Sequence, residues 1–258
     1  MALAFGLISE SRLARATDLF RLCKPLEANA RHCAEAWGLE APTIDVIDRE
    51  DKLPTGMHPI VFVSDDSGDP GALAVHYYDP FRAGPAAIVY VDRASGWNSG
   101  SYSVSEAASH EVLEALCNPR LNIWRAHVDA SRVGVQAAGE VADPCQDTYE
   151  IPAHGVRWKV SNFVTPAWFD AANLEPALAD RVKMGRGFDY AKRLSRPGQV
   201  GPEGYVILRE RGESGQWSLW YEDSSGQRFG SAPVKSTRQA NAAKYDARRS
   251  NLIRRTAA

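Results

Sequence analysis

One helix of the chain is marked at both of its ends by the residues that flank it. Ser103 and Glu106 form the S-x-x-E pattern of a capping box, in which each side chain bonds the backbone N–H of the other residue. Asn118-Pro119 closes the same segment, because a residue that precedes proline disfavours helical backbone. The sequence therefore predicts a helix between these two signals, and the rest of the chain must pack around it.

The elements before this helix are predicted from periodicity and turn residues. The first forty residues place Leu19, Leu22 and Leu26 at three- and four-residue steps, which predicts a helix that Pro25 splits or kinks. Strand-like runs follow, separated by turn residues such as Asp69-Pro70-Gly71; they are 43–48, 59–64, 72–78 and 86–92. A helix, a small sheet and a second helix together predict an α+β fold.

The predicted second helix carries the string SHEVLE at residues 109–114. At 100° per residue, His110 and Glu114 lie one turn apart on one stripe, whereas Val112 and Leu116 lie on the opposite side. An imidazole and a carboxylate in these positions can bind one metal ion, and Glu111 lies to the side, where a base could reach a water on the metal. The alternative is a solvent-facing polar stripe in which Glu111 is an ordinary surface acid.

Other residues could complete such a metal site. Glu140 or Asp143 could supply a further ligand, or Asp143 could orient His110 by accepting from its second ring nitrogen. Asp143-Pro144 is also compatible with a turn that has no chemical role. Cys145 could ligate zinc or approach Cys117, although a small buried thiol is the alternative for both. The remaining candidates are histidines with either a structural or a ligand role, namely His76, His127 and His154.

A strand that leads through a loop into a helix with His-Glu-x-x-ligand resembles the zincin metallopeptidases. The sequence Gly-Glu-Val-Ala-Asp at 139–143 is similar to the acidic motif that supplies the third ligand in the glutamate-type zincins. The resemblance covers residues 43–150. The chain departs from that group at Glu114, which stands where a histidine is usual, and in the short spacing between Glu140 and Asp143.

This resemblance implies a fold, a cofactor and an activity. It implies a zincin-like domain that binds zinc through His110, Glu114 and either Glu140 or Asp143, and that hydrolyses peptide bonds with Glu111 as the base. A carboxylate in place of a neutral imidazole makes the metal a weaker Lewis acid. Activity is therefore expected to be low at neutral pH and to increase as the pH rises.

A second resemblance points to a different class of function. The strings SHEVLE, ADPCQD and VSNFVTPAWFD are together similar to uncharacterised proteins of bacteria and their phages, over most of the chain. That likeness implies no particular activity. It keeps open a non-catalytic alternative, in which the protein is a structural component of a phage virion or another assembly and reuses a zincin-like scaffold.

The domain prediction follows from glycine and proline content. Residues 1–184 are predicted to form the zincin-like α+β domain, and the glycine- and proline-rich stretch 185–204 to be a linker or a long loop. Within the first domain, 156–169 reads as a strand followed by an aromatic plug. Residues 205–258 are predicted to form a β-meander with strands at 205–210 and 217–222, followed by a basic helix. Such a short unit is expected to dock on another surface.

Charge and composition limit which partners and which location are expected for the protein. The chain has a net charge of −2, but residues 235–258 contain seven basic residues and one acid. This basic tail predicts a protein partner or a homo-oligomeric assembly, or a contact with nucleic acid; a purely solvated helix is the alternative. A chain of 258 residues needs no disulfides, so the 4 cysteines are expected to be reduced. No apolar run approaches the roughly 18 residues of a membrane span, so the predicted location is the cytoplasm, or the virion for a phage protein.

Overall fold

The computed structural model combines helices with β-sheets and confirms the α+β class. It describes residues 2–64, 72–100, 102–128, 132–169, 187–212 and 214–233. The helices within these ranges are α1 (Ala16–Trp37), α2 (Val104–Cys117) and the short α3 (Pro166–Phe169). None of the described helices is both long enough and apolar enough to cross a membrane.

The first sheet is mainly parallel and supports the helices. Its strands are β1 (Ala4–Ser9), β2 (Thr43–Ile47), β3 (Met57–Val63), β4 (Ala74–Asp79) and β5 (Gly84–Tyr90). The order is β2-β1-β3-β5-β4, in which only β4 runs antiparallel to its neighbour. Alternate side chains divide between two buried layers: Phe5 and Phe62 pack with the helices, whereas Val61 and Ile88 pack on the opposite face. The four strand runs predicted before α2 are confirmed, with ends that differ by one or two residues.

The amino-terminal prediction was partly wrong. Residues Ala4–Ser9 form β1, between β2 and β3, and α1 begins only at Ala16. Periodicity cannot distinguish a short apolar run in a buried parallel strand from a helix, because both faces of such a strand are covered. Pro25 lies inside α1 and does not split it. Its side chain is buried, and packing of this helix face on the core stabilises α1 despite the proline.

Helix α2 has the ends that the sequence predicted. The Ser103 hydroxyl accepts from Glu106 N at 3.2 Å, and the Glu106 carboxylate accepts from Ser103 N at 3.4 Å. At the other end, Asn118 N donates to Glu114 O at 2.7 Å. The helix packs against β4 and β5 on one side and against strand β9 (Val156–Ser161) on another, so nearly all its side chains are buried. Its polar residues therefore lie inside the protein.

A second sheet joins chain segments from both sides of the predicted linker. Its strands are β6 (Trp124–Ala126), β7 (Val135–Ala138), β10 (Tyr205–Arg211), β11 (Trp217–Asp223) and β12 (Arg228–Pro233). They are antiparallel in the order β12-β11-β10-β7-β6, and β10 pairs with β7. A separate hairpin consists of β8 (Thr148–Ala153) and β9. The predicted meander thus extends a sheet that begins before the linker.

The loop at 187–204 is held in place by buried polar contacts. The Asp189 carboxylate accepts from Asn162 Nδ2 and from Leu194 N, both at 2.7 Å. The Trp168 indole donates to Gln199 O at 2.6 Å, and the buried rings of Trp168 and Phe169 confirm the predicted aromatic plug. These contacts lead the chain to the start of β10. The predicted basic helix within 235–258 lies outside the described residues.

Candidate metal centre

A cluster of histidine and carboxylate side chains is buried where α2, β4 and the segment after β7 meet. The His/carboxylate cluster consists of His76, His110, Glu111, Glu114, Glu140 and Asp143. His110 is its most exposed member, with 13% of its side chain accessible. Six ionisable side chains in one buried place need partners among themselves or from a ligand, because an unpaired buried charge is very costly.

Local structure explains how α2 and β4 contribute to the cluster. His110 and Glu114 are one helical turn apart and therefore project side by side. His76 is the partner of Ala87 in the antiparallel pair β4 and β5, and directly paired residues point to the same face of a sheet. Ala87 packs in the core layer that contains the helices. The register of β4 therefore turns His76 towards α2.

The segment after β7 is positioned by three neighbours. Asn118 Nδ2, at the end of α2, donates to Glu140 Oε1 at 2.9 Å. Val164 N donates to Val141 O at 2.8 Å, and Tyr205 N donates to Asp143 O at 3.1 Å. These contacts connect the end of α2, the segment after β9 and the start of β10 to the same short stretch. They bring Glu140 and Asp143 into the cluster.

Glu114 is the centre of the cluster. Its Oε2 lies 3.1 Å from His76 Nδ1, and its Oε1 lies 3.1 Å from His110 Nε2. On the outer sides, His110 Nε2 lies 3.2 Å from Asp143 Oδ1 and His76 Nε2 lies 3.5 Å from Glu140 Oε2. Glu111 Oε2 lies 3.4 Å from His76 Nδ1. The two carboxylate oxygens of Glu114 thus face two different imidazoles.

Burial and mutual charge shift the pKa values of these groups strongly. Burial raises the pKa of Glu140 to about 8; Glu114 and Asp143 add to the rise, while His76 opposes it. Burial also raises the pKa of Asp143 to about 6, with a further contribution from Glu114. For Glu114 itself, burial is outweighed by His110 and His76, which hold its pKa well below the ordinary value. Without a metal ion, the cluster therefore retains protons on acidic groups near neutral pH.

Burial shifts the pKa of the two imidazoles in the direction opposite to its effect on the carboxyl groups. Burial alone would lower the pKa of His76, but Glu140, Glu111 and Glu114 raise it well above the usual value. For His110, burial is likewise outweighed by Glu114 and by the hydrogen bond to Asp143, so its pKa is raised. Acidic neighbours therefore favour positive charge at this place. A divalent cation supplies the same charge.

Two overlapping sets of side chains have the composition and spacing of a metal site. The sets are His110, Glu114 and Asp143, and His76, Glu114 and Glu140; within each set, one ligand atom per residue lies within 4.8 Å of the others. Two ligands of a tetrahedral zinc ion, each bound at 2.0–2.1 Å, are about 3.3 Å apart. The observed N···O distances of 3.1, 3.2 and 3.5 Å are close to that value. These residues therefore could bind a metal ion.

Most residues of the cluster were named as candidates from the sequence. The structure brings together the five residues predicted from the motif and the acidic stretch, namely His110, Glu111, Glu114, Glu140 and Asp143. The alternative of a solvent-facing stripe on α2 is wrong, because Glu111 and Glu114 are buried beneath β4. His76, for which the sequence left a structural role open, is the additional histidine of the cluster.

The other candidate residues are not members of the His/carboxylate cluster. His154 lies at the β8–β9 turn with φ 52° and its ring is 6.3 Å from that of Phe20. Cys117 Sγ lies 3.5 Å from Cys33 Sγ, and Cys117 and Cys145 are both buried, which confirms the prediction of small buried thiols at these two positions. All four cysteines are free. Neither ligand set found in the described ranges includes His127 or Cys145.

Two residues of the site were not identified from the sequence. Asn118 was read only as a helix end, yet its side chain bonds Glu140. Tyr205 was read only as the start of a strand, yet its hydroxyl bonds Asp143 and burial raises its pKa. The Asn-Pro signal at the helix end could have suggested a side-chain role for Asn118. For Tyr205 the sequence contains no such signal.

A cavity of about 500 Å³ opens beside one part of the cluster. Its wall includes His110 and Glu111 from α2, Tyr205 from β10, and Leu73 and Ala74 at the start of β4. His76, Glu114 and Glu140 are not part of this wall and lie behind it. A molecule in the cavity can therefore reach the His110 side of the cluster and the carboxylate of Glu111.

Comparisons of the chain with protein-family models, with curated proteins and with solved structures gave no match. The chemistry of the site therefore follows from its own geometry. That geometry defines a buried cluster of nitrogen and oxygen donors, suited to a divalent metal and open to a cavity on one side.

The pKa shifts predict how the metal-free protein responds to pH. Glu140, Asp143, His76 and His110 all have raised pKa values, so between pH 6 and 9 the folded state binds more protons than the unfolded state. The free energy of unfolding therefore falls as the pH rises. Glu114 acts in the opposite sense only in acid, where its contribution is lost as the pH falls. We expect Tm of the chelator-treated protein to drop by roughly 5–10 °C between pH 6 and pH 9.

The zinc-loaded protein is the control for this prediction. Bound metal takes the place of the protons, so the stabilising effect of the metal should increase with pH. The Tm values of the metal-free and the zinc-loaded protein should therefore move further apart as the pH rises. Thermal unfolding followed by circular dichroism at pH 6, 7.5 and 9 measures both series. A metal-free protein whose Tm stayed level or rose over this range would contradict the assignment.

Proposed function

We propose that this protein is a zinc-dependent hydrolase of peptide bonds built on a zincin-like domain. One observation carries the proposal: His110, which forms a possible ligand set with Glu114 and Asp143, lines a cavity whose wall also includes Glu111. A mainly parallel sheet, an antiparallel edge strand and a following helix with H-E-x-x-E support the zincin-like interpretation. We propose Asp143 rather than Glu140 as the third ligand, because Asp143 forms a set with His110 and Glu114.

The position of β4 supports an extended peptide as the substrate. In the described part of the chain, β4 is the last strand of its sheet and pairs only with β5. The free edge of a strand can bind an extended segment through backbone hydrogen bonds. The cavity borders the start of this strand at Leu73 and Ala74. A peptide along β4 would pass in front of His110 and Glu111.

The roles of the chain's own residues follow from their places around the cavity. Zinc, when bound, would supply Lewis-acid polarisation of the carbonyl and would lower the pKa of water. Glu111 would accept a proton from the attacking water while the water oxygen forms a bond to the carbonyl carbon of the peptide. The same carboxyl group would pass that proton to the amine nitrogen as the C–N bond breaks. The hydroxyl of Tyr205 bonds Asp143 and would hold this ligand in place.

Metal content and peptide cleavage test the proposal together. The tag-free protein is loaded with zinc, and cleavage of a mixed peptide library is followed by mass spectrometry. We expect cleavage by the wild type that increases from pH 6 to pH 9. We expect His110→Ala to reduce both the zinc content and the cleavage, by about 100-fold or more for the rate, because it removes the accessible ligand.

A histidine outside the cluster provides the matched control. His154→Asn changes the turn residue of the β8–β9 hairpin, where asparagine tolerates positive φ, and should leave both readouts unchanged. Zinc-free protein that cleaves equally well, or zinc-loaded wild type that cleaves nothing in the library, would contradict the proposal. The second result would favour the non-catalytic alternative, whose predicted assembly segment 235–258 lies outside the described residues.

A further inference from the structure

The cluster has a second set of ligand atoms that the proposed mechanism does not use. His76 lies beside the oxygen of Glu114 that does not face His110, Glu140 lies beside His76, and neither residue lines the cavity. Their side chains are only 6% and 8% exposed. A hydrolytic site with a single zinc ion needs neither of them, so their presence in the core requires its own physical reason.

Two atoms on this side are buried without a hydrogen-bond partner, namely His76 Nε2 and Glu140 Oε2. The other atoms of the same groups are satisfied, because Glu140 Oε1 accepts from Asn118 and His76 Nδ1 donates to Glu114 and Glu111. With the proton on Nδ1, Nε2 offers its lone pair towards Glu140 Oε2, 3.5 Å away. A buried polar atom without a partner is costly, and a cation between such atoms removes the cost.

The charges of the cluster indicate how many metal ions it binds. The cluster contains four carboxylates, on Glu111, Glu114, Glu140 and Asp143, and two imidazoles that are neutral when they ligate a metal. When all four carboxylates are ionised, one divalent ion would leave two negative charges uncompensated in a buried place. Two divalent ions balance the four carboxylates. Because burial of uncompensated charge is expensive, the composition of the cluster favours two ions over one.

We infer that the cluster binds two divalent metal ions bridged by Glu114, one with His110 and Asp143 and the other with His76 and Glu140. The first ion is that of the proposed function, on which this inference rests; the second would lie between buried residues that do not line the cavity beside His110. Glu114 belongs to both ligand sets, as a bridging carboxylate requires, and its Oε2, which accepts from His76 Nδ1, would turn towards Nε2 to bind the second ion. Nitrogen and carboxylate ligands of this kind suit Zn²⁺, Co²⁺, Mn²⁺ or Fe²⁺.

The number of metal ions per chain tests the inference without any activity assay. Metal-free protein is loaded with Zn²⁺ or with Co²⁺, freed of excess metal and analysed by elemental mass spectrometry. We expect two ions in the wild type, one in Glu140→Gln and one in Asp143→Asn. Glutamine at 140 keeps an oxygen that accepts from Asn118 Nδ2, so the local structure has the least reason to change. Glu150→Gln, on the exposed side of β8, should still bind two.

Spectroscopy of the wild type tests the bridge independently of any variant. Two Co²⁺ ions that share a carboxylate, about 3.5–4 Å apart, should be magnetically coupled in electron paramagnetic resonance. Titration of the metal-free protein with Co²⁺ should show the coupled signal as the second equivalent binds. In Glu140→Gln the signal should remain that of a single ion at all ratios.

The outcomes separate this inference from the proposed function. One ion in both the wild type and Glu140→Gln would overturn the second site and leave the proposed function standing. Two ions in both, or two uncoupled ions in the wild type, would also overturn it. No bound ion in the wild type would reject the proposed function together with the inference. If Glu140→Gln does not fold, the wild-type ion count and the coupled signal decide the question.

Discussion

Glu111→Gln lowers kcat for peptide hydrolysis by roughly 10²–10⁴-fold and leaves the metal content unchanged. Glu111 lines the cavity beside His110, and its carboxylate is the group placed to accept the proton of the attacking water. Glutamine has nearly the same shape but cannot take up that proton. Since Glu111 belongs to neither set of metal ligands, zinc binding should survive the substitution. Initial rates on a cleaved library peptide, together with elemental analysis of the same sample, provide the measurement.

Glu106 offers a matched control for this variant. It lies on the same helix, lines the same cavity and carries the same functional group. Glutamine also serves at this position of a capping box, so Glu106→Gln should keep both the helix end and the activity. A Glu111→Gln protein with full activity would reject Glu111 as the base. Equal losses in the two variants would point to a general effect of charge at the cavity wall.

Glu114→Gln should cause the largest loss of metal binding of any single substitution in the cluster. Glu114 is the residue shared by both ligand sets. Its Oε2 lies 3.1 Å from the imidazole of His76, and its Oε1 lies 3.1 Å from the imidazole of His110. Substitution of a partner in the outer shell of a metal site costs 10–100-fold in affinity, and removal of a charged ligand should exceed that, so we expect zinc affinity to fall more than about 100-fold. Competition with a zinc chelator of known affinity measures this loss.

Stability of the variant provides a second readout. Without bound metal, the Glu114 carboxylate of the wild type is buried between the imidazoles of His76 and His110, whose pKa values are raised. Glu114→Gln removes the negatively charged partner of both imidazoles. The variant should therefore unfold more easily than the wild type at pH 6, where the imidazoles carry charge, and addition of zinc should rescue it little. Wild-type zinc affinity in Glu114→Gln would contradict the central role of this residue in the site.

Predictions from the sequence succeeded where short-range rules apply. The spacing of His110 and Glu114 follows from 3.6 residues per turn, and the capping box at Ser103 was identified from the side-chain pattern alone. The same rules could not assign residues 4–9, because an apolar run of that length fits a buried strand as well as a helix. Pairing with β2 and β3 decided the outcome.

The sequence by itself determined the helix that carries the candidate ligands, its limits and the chemical nature of those candidates, since each of these depends on residues within a few turns of one another. Only the tertiary structure decided which distant residues join them. His76 enters the cluster through the register of β4 on β5, and Tyr205 enters through the pairing of β10 with β7. Whether Glu140 or Asp143 groups with His110 depends on a side chain at the end of α2 and on backbone contacts from two other segments. Such contacts join residues far apart in the chain, and no local pattern encodes them.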